Sequence, residues 1–378
     1  MKQQVQIAFL AVYILFFSNA TAQVKVGKID GSLWTANYNS VDDFDYASKM
    51  EILVYVKCFM ELESLKDIEA IKSKYNIKSA NLNSFENWRK EQIHLILQNL
   101  HAIKSNSILS KTVAIDKNCT WQEVTKAIVS IEKNIPTNLK AWYADAIVFN
   151  RQYVNELARL AFLFPRPSSE VLTIAPNEIT GNNYKDKEFL LTFDDGPTPA
   201  NGNTDRLMST LKKQKLNGVF FVLGESLQNR INASSKERVA TLYSGNKIGS
   251  HGKIHKSHQY LKAWQESLDF TTSAIQKLNN GNNKTNYFRP PYGQRTVEIS
   301  KYLSKSNGSI LLWNIDSQDW NSKITASEVS DRVIALMLLW RKGIILFHDV
   351  HSKASDALPI IVDSLNGSGV HFIDSNKL

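Results

Sequence analysis

The sequence predicts an α/β fold on parallel strands, either a barrel or a doubly wound sheet, preceded by an all-α region. Three observations predict it. From Lys187 onward, seven short apolar runs alternate with amphipathic stretches, the rhythm of repeated βα units. Five polar motifs sit in fixed order among those runs: Thr192-Phe-Asp-Asp-Gly-Pro197, His251-Gly-Lys-Ile-His255, Phe288-Arg-Pro-Pro-Tyr-Gly293, Asp316-Ser-Gln-Asp-Trp320 and Leu346-Phe-His-Asp349. Four of them directly follow or end an apolar run, which puts their side chains at the strand ends where barrel enzymes gather catalytic groups. Before Phe164, by contrast, apolar residues recur at three- and four-residue spacing, the rhythm of a helix.

Read from the N-terminus, Lys2, the apolar run Ile7 to Phe17 and the small residues Ala20-Thr21-Ala22 form an export leader expected over residues 1–22. The run is well short of the roughly 20 residues that span a bilayer, so cleavage leaves no transmembrane segment. A secreted, periplasmic or cell-envelope location is therefore expected. Export permits a disulfide between Cys58 and Cys119, the only two cysteines, and two separate buried thiols fit the sequence equally well. The chain has 378 residues, 43% apolar and 21% charged, the balance of a globular protein rather than a disordered one. Its net charge of +9 favours anionic surfaces such as cell-wall polymers. No basic cluster interleaves with aromatics, so nucleic acid is not an expected partner.

A helical N-terminal region is expected over residues 30–165, with no legible role. Phe85, Trp88, Ile96, Leu97, Leu100 and Ile103 form one amphipathic stripe, and Thr120-Trp-Gln-Glu123 is a capping box. Pro136-Thr137 opens a long helix carrying Trp142, Phe149, Leu157 and Leu160, which at that spacing read as core. Phe164-Pro-Arg-Pro-Ser-Ser169 cannot continue a helix and opens a linker expected over residues 166–186. The second domain is expected over residues 187–378. Its strands are predicted at Phe189–Phe193, Gly218–Leu223, Lys247–Ser250, Tyr287–Phe288, Ser309–Ile315, Ile344–Phe347 and Val370–Ile373. Helices are predicted between them at Asp205–Lys215, Lys236–Ser244, Ala263–Leu278, Val297–Lys305, Ala326–Trp340 and Asp356–Leu365.

The motifs suit a metal-dependent hydrolase. Asp194 and Asp195 end a strand, where neighbouring side chains diverge, so one can ligate a metal while the other acts as a base; in isolation, a plain Asp-Gly-Pro turn is the better reading of the pair. His251 and His255 lie four apart, close enough to share one ion. With Asp195 they make a two-His, one-carboxylate set suited to zinc, and also to cobalt, manganese, nickel or iron. His258 is a further imidazole, expected outside the ligand set. Arg289 precedes two prolines that aim its guanidinium, and a permanent cation beside a carboxylate orients it and lowers its pKa. His348 follows a strand and can serve as a general acid near neutral pH.

This series of motifs resembles the polysaccharide deacetylases of carbohydrate esterase family 4, over roughly residues 187–378. The resemblance implies a distorted (β/α) barrel and a metal-dependent hydrolase that removes acetyl groups from N-acetylglucosamine units of peptidoglycan, chitin or poly-N-acetylglucosamine. It implies Asp194 as catalytic base and Asp195, His251 and His255 as ligands of a divalent metal, zinc first. It also implies Arg289 positioning the base, Asp319 tuning the catalytic histidine and His348 as general acid. Trp320 and Leu346 would wall the acetyl pocket, and the backbone N–H of Tyr292 would meet the oxyanion. Two alternatives remain: an O-acetyl esterase of acetylxylan type, and a non-catalytic glycan-binding protein. The family usually has Ser or Thr after the first metal-site histidine and a proline after the second. Here Gly252 and Lys256 stand there, so a hydroxyl able to brace the loop is missing.

Overall fold

The computed structural model describes residues 27–103, 118–166, 168–278 and 287–378; the expected leader, residues 1–22, lies outside them. Among the described residues, five α-helices lie in the N-terminal region: α1 (Val41–Met60), α2 (Ile68–Tyr75), α3 (Leu82–Ala102), α4 (Trp121–Asn134) and α5 (Lys140–Leu163). The capping box behaves as expected: Thr120 Oγ1 accepts from the Glu123 N–H, while the Glu123 carboxylate accepts from the Thr120 N–H at 2.7 Å. Cys58 and Cys119 are each buried as a separate thiol, and burial pushes Cys58 up to about 12. Among the described residues, no helix is long and apolar enough to cross a membrane.

Among the described residues, nine strands, all paired in parallel, make up one sheet: β1 (Glu178–Ile179), β2 (Glu188–Asp194), β3 (Val219–Val222), β4 (Lys247–Ser250), β5 (Tyr287–Phe288), β6 (Ser309–Leu311), β7 (Ile315–Asp316), β8 (Gly343–His348) and β9 (His371–Phe372). Their order is β1-β6-β5-β4-β3-β2-β8-β7, with β9 pairing the start of β2. β6 and β7 stand toward opposite ends of this order, yet only Leu312, Trp313 and Asn314 separate them in the chain. The sheet therefore curls until its ends nearly meet, which makes the expected distorted barrel. The single strand predicted at Ser309–Ile315 is a correction: it is broken at this seam, because its first half pairs with β5 and its second half with β8. β1 also lies inside the stretch read as a linker, pairing Glu178 with Ile310 and Ile179 with Leu311.

Strand alternation sorts the side chains. Leu190, Val219, Phe221, Leu311, Ile344 and Leu346 fill the barrel interior, while Phe189, Leu191, Phe193, Ile345 and Phe347 join the larger outer core. Around the sheet run α6 (Asn203–Gln214), α7 (Gly224–Ala233), α8 (Lys236–Leu242), α9 (Trp264–Leu278), α10 (Val297–Ser304), α11 (Ala326–Trp340) and α12 (Ser352–Ser364).

The helical region and the barrel share that outer core. From Val329 to Trp340, α11 is buried on nearly every side, as a helix apolar all round must be. Ser48 on α1 donates to the Leu338 carbonyl at 2.7 Å, and Asn99 on α3 donates to the Leu339 carbonyl at 3.1 Å. Trp340 Nε1 donates to the Tyr153 hydroxyl at 3.0 Å. Below them, the buried Asp45 carboxylate of α1 meets Arg341 at 2.8 Å and Lys187 at 3.0 Å. Buried charges persist only when paired, so this cluster fixes how α1 sits on the barrel.

Candidate active site

The parallel register of β2 with β8 sets Asp194 opposite His348 and Thr192 opposite Leu346, all at the C-terminal end of the barrel. Arg289 leaves the end of β5 and crosses the interior, fully buried. Its Nη1 donates to Asp194 Oδ1 at 2.9 Å and to Thr192 Oγ1 at 2.7 Å. Its Nε and Nη2 donate to the carbonyls of Leu311 and Leu312 at the seam, at 2.9 and 2.8 Å. The guanidinium also lies over the Phe221 ring, 4.3 Å from its centroid. One oxygen of Asp194 is thus fixed by a permanent cation.

Neighbouring residues on a regular strand point to opposite faces. Asp195 breaks that rule with φ 79°, a left-handed conformation that Asp tolerates better than most residues. Both carboxylates consequently approach His251 Nε2, Asp195 Oδ1 at 3.3 Å and Asp194 Oδ2 at 3.8 Å. His255 Nε2 lies 3.5 Å from Asp195 Oδ1. One donor atom from each of Asp195, His251 and His255 falls within 4.8 Å of the others.

These residues fit a divalent cation. Asp195 Oδ1 is buried and has no hydrogen-bond partner among the described residues, although it faces two imidazoles. His251 Nδ1 donates to the Arg289 carbonyl at 2.7 Å, which leaves the Nε2 lone pair turned toward Asp195. The Tyr292 hydroxyl sits 3.1 Å from His255 Nδ1 and orients that ring in the same way. Burial alone would raise the Asp195 carboxyl, but the contact with His251 and the nearby imidazoles hold it well below the usual carboxylate range.

Across the opening, Asp319 is fully buried and grips His348 twice. Its Oδ1 lies 2.7 Å from His348 Nδ1, and its Oδ2 accepts from the His348 backbone N–H at 2.9 Å. Burial by itself would lower the imidazole pKa; Asp319, with Asp194 and Asp195 beyond it, instead pushes His348 up to about 10. Lys353 donates to the Asp319 carbonyl at 3.2 Å and also to the Asn321 carbonyl, tying this loop to α12. Trp320 and Tyr292 are about half exposed at the mouth, while Leu346 is buried in the barrel interior.

The missing hydroxyl at Gly252 has a structural answer. Gly252 adopts φ +82°, and a Cβ there would lie 2.3 Å from His258 Cε1. His258 fills that space, buried, with Nε2 3.0 Å from Ser267 Oγ, which in turn accepts from the Lys253 N–H at 2.7 Å. Its ring also packs edge-on against Phe288. His258 therefore braces the His251–His255 loop from within. Gly252→Ala should accordingly loosen divalent-metal binding by about tenfold, the low end for a residue behind the ligands. Chelator-competition titration measures this, and wild-type affinity in the variant would count against the brace.

Sequence reasoning missed four contributors: the Tyr292 hydroxyl, Thr192, His258 as a brace, and Arg295. Arg295 is buried and forks onto Glu178 of β1 at 2.9 and 2.6 Å. It also takes the Gly293 carbonyl at 3.0 Å, so the supposed linker anchors the Tyr292 loop. Only its charge among prolines and glycines signalled a role.

A protein-family model described as "Polysaccharide deacetylase" matches residues 181–308. That match covers Asp194, Asp195, His251, His255 and Arg289, and stops before Asp319 and His348. The chain is 26% identical to the peptidoglycan-N-acetylmuramic acid deacetylase PdaC of Bacillus subtilis, over 89% of this chain and 64% of that protein. It is 26% identical to the peptidoglycan-N-acetylglucosamine deacetylase PgdA of Listeria monocytogenes, over 73% of this chain and 55% of that protein. Against these two relatives, then, the chain spans somewhat more than half their length. The putative polysaccharide deacetylase YheN of Bacillus subtilis is 30% identical over 51% of this chain and 68% of that protein. The chain belongs to the polysaccharide deacetylase family.

Proposed function

We propose that this protein is an exported, metal-dependent deacetylase that hydrolyses N-acetyl groups of an N-acetylglucosamine-containing polysaccharide, with peptidoglycan as the first substrate to test. The observation that carries the reading is the pair of register partners, Asp194 held by Arg289 and His348 held by Asp319, with three candidate metal donors beside Asp194. The names of the peptidoglycan-acting relatives support that choice of substrate.

Asp195, His251 and His255 would hold the metal, zinc first. When bound, the ion supplies Lewis-acid polarisation of the acetyl carbonyl and lowers the pKa of an adjacent water. Asp194, with one oxygen fixed by Arg289, takes the proton of the attacking water on its other oxygen. The backbone N–H of Tyr292 meets the charge that develops on the carbonyl oxygen. His348 then gives its proton to the departing sugar nitrogen, so the C–N bond breaks to acetate and a free amine. Trp320 and Leu346 flank the acetyl methyl.

The electrostatics favour an amide over an ester. An amine is a poor leaving group that needs a proton, and the Asp319 carboxylate beside Nδ1 favours the protonated form of His348. The test is acetate release from N-acetylglucosamine oligomers, peptidoglycan and acetylated xylan. Chelator should abolish release from the N-acetylated substrates, and zinc should restore it. Faster release from xylan would assign an O-acetyl esterase, and no release by zinc-loaded protein from any substrate would overturn the reading.

A further inference from the structure

A cleft of about 480 Å³ lies between the helical region and the seam of the barrel. That volume is in the range of roughly 300–1,000 Å³ typical of small-molecule sites. Helices α3 and α5 supply one wall, with Glu91 and Glu156, and barrel residues 313–322 supply the other. Trp320 and its neighbours Asn321 and Ser322 line it. Asp319, between Gln318 and Trp320, is the residue that grips His348. One loop thus turns Asp319 to the active site and Gln318, Asn321 and Ser322 to the cleft, with Trp320 at the boundary of the two.

The cleft is acidic in a basic chain. Glu91, Glu156, Glu170 and Asp316 line it, against a net charge of +9 for the whole protein. Glu156 is neutralised by Arg159 at 2.7 Å. The one lining guanidinium, Arg332, directs Nε to the Asp316 carbonyl and Nη1 to the Gly27 carbonyl. Burial pushes Glu170 up to about 7 and raises Asp316 as well, with Arg332 offsetting part of the rise at Asp316. Trp313 also lines the cleft, is only 8% exposed, and its indole N–H has no hydrogen-bond partner among the described residues. The exposed face of Trp320 beside acceptors suits a sugar ring, and a group of buried carboxylates suits a cation.

We propose that this cleft binds an amino-sugar unit of the glycan, its ring against Trp320 and its ammonium among Glu91, Glu170 and Asp316. The inference rests on the reading of the chain as a glycan N-deacetylase, whose product carries that ammonium. A sugar deacetylated in one turnover would then hold the same chain for the next, so partly deacetylated polymer is the preferred substrate.

The test compares binding of two probes, a glucosamine pentamer and an N-acetylglucosamine pentamer, by calorimetry. The proteins are the full chain and its Glu91→Gln/Glu170→Gln double variant, with thermal midpoints confirming that both fold. The glucosamine pentamer has no acetyl group, so its binding is read whether or not the protein hydrolyses amides. Expected is a loss of about tenfold in affinity for the glucosamine pentamer relative to the acetylated one, the scale of one charge-assisted contact. An unchanged ratio in a folded variant overturns the proposal. Absence of acetate release by the wild-type protein, in contrast, would overturn the deacetylase reading and leave the binding result standing on its own.

Discussion

Asp194→Asn should lower kcat by about 10³-fold while leaving metal content at the wild-type level, because a positioned general base contributes roughly 10²–10⁴-fold. The substitution keeps the shape of the side chain, and its oxygen can still accept from Arg289, so the barrel interior stays intact. What goes is the ability to take a proton. His251→Ala should behave differently. Its Nε2 is one of three donor atoms converging on one point, so metal and turnover should disappear together. Metal analysis beside acetate-release kinetics separates the two variants. The informative surprise would be metal loss in Asp194→Asn. Asp194 Oδ2 lies 3.8 Å from His251 Nε2, and such a result would make Asp194 a ligand rather than the base.

Arg289→Ala should be the most disruptive single change in the barrel, destabilising the protein by about 3–5 kcal/mol, the usual cost of breaking a buried ion pair. The guanidinium makes hydrogen bonds to Asp194, Thr192 and the carbonyls of Leu311 and Leu312, and all four of these residues are buried. Removing it leaves Asp194 as a buried carboxylate without its cation. Arg289→Lys keeps the charge but not the planar fork, so it should recover part of the stability and little of the activity. Urea unfolding of the three proteins checks the order. Equal midpoints for Arg289→Ala and wild type would mean the interior has another way to satisfy Asp194.

Much of this was legible in the sequence where local chemistry and fold agree. Lys247–Ser250, Tyr287–Phe288 and Ala326–Trp340 occur at the predicted residues, because an apolar run or a capped apolar helix has few other solutions. The break after Leu311 was not legible, since Leu312 and Trp313 are as apolar as any strand residue. Only the closing of the barrel, which brings β5 and β8 to the two halves of one segment, decides it. β1 is two residues long and follows prolines and serines, so no periodicity announces it. α7 opens on glycine and carries mostly polar residues, and its buried positions appear only once it packs. In the site, the motifs marked the groups that would do chemistry, but the groups that hold them in place were hidden. Gly252 and His258 look unrelated until the left-handed turn puts one ring where the other residue's side chain would be.

The burial of α11 bears on the order in which the chain can assemble. A helix without a solvent face cannot be finished by either half alone. During synthesis the N-terminal helices emerge first and must wait, with the surface of α1 uncovered, until residue 340 has been made. Contacts such as Ser48 to Leu338 close a separation of 290 residues, and such non-local closures are slow. Folding should therefore finish at the junction of the two halves, which is also where the loop carrying Asp319 and Trp320 is set, so the catalytic end is among the last parts to take shape.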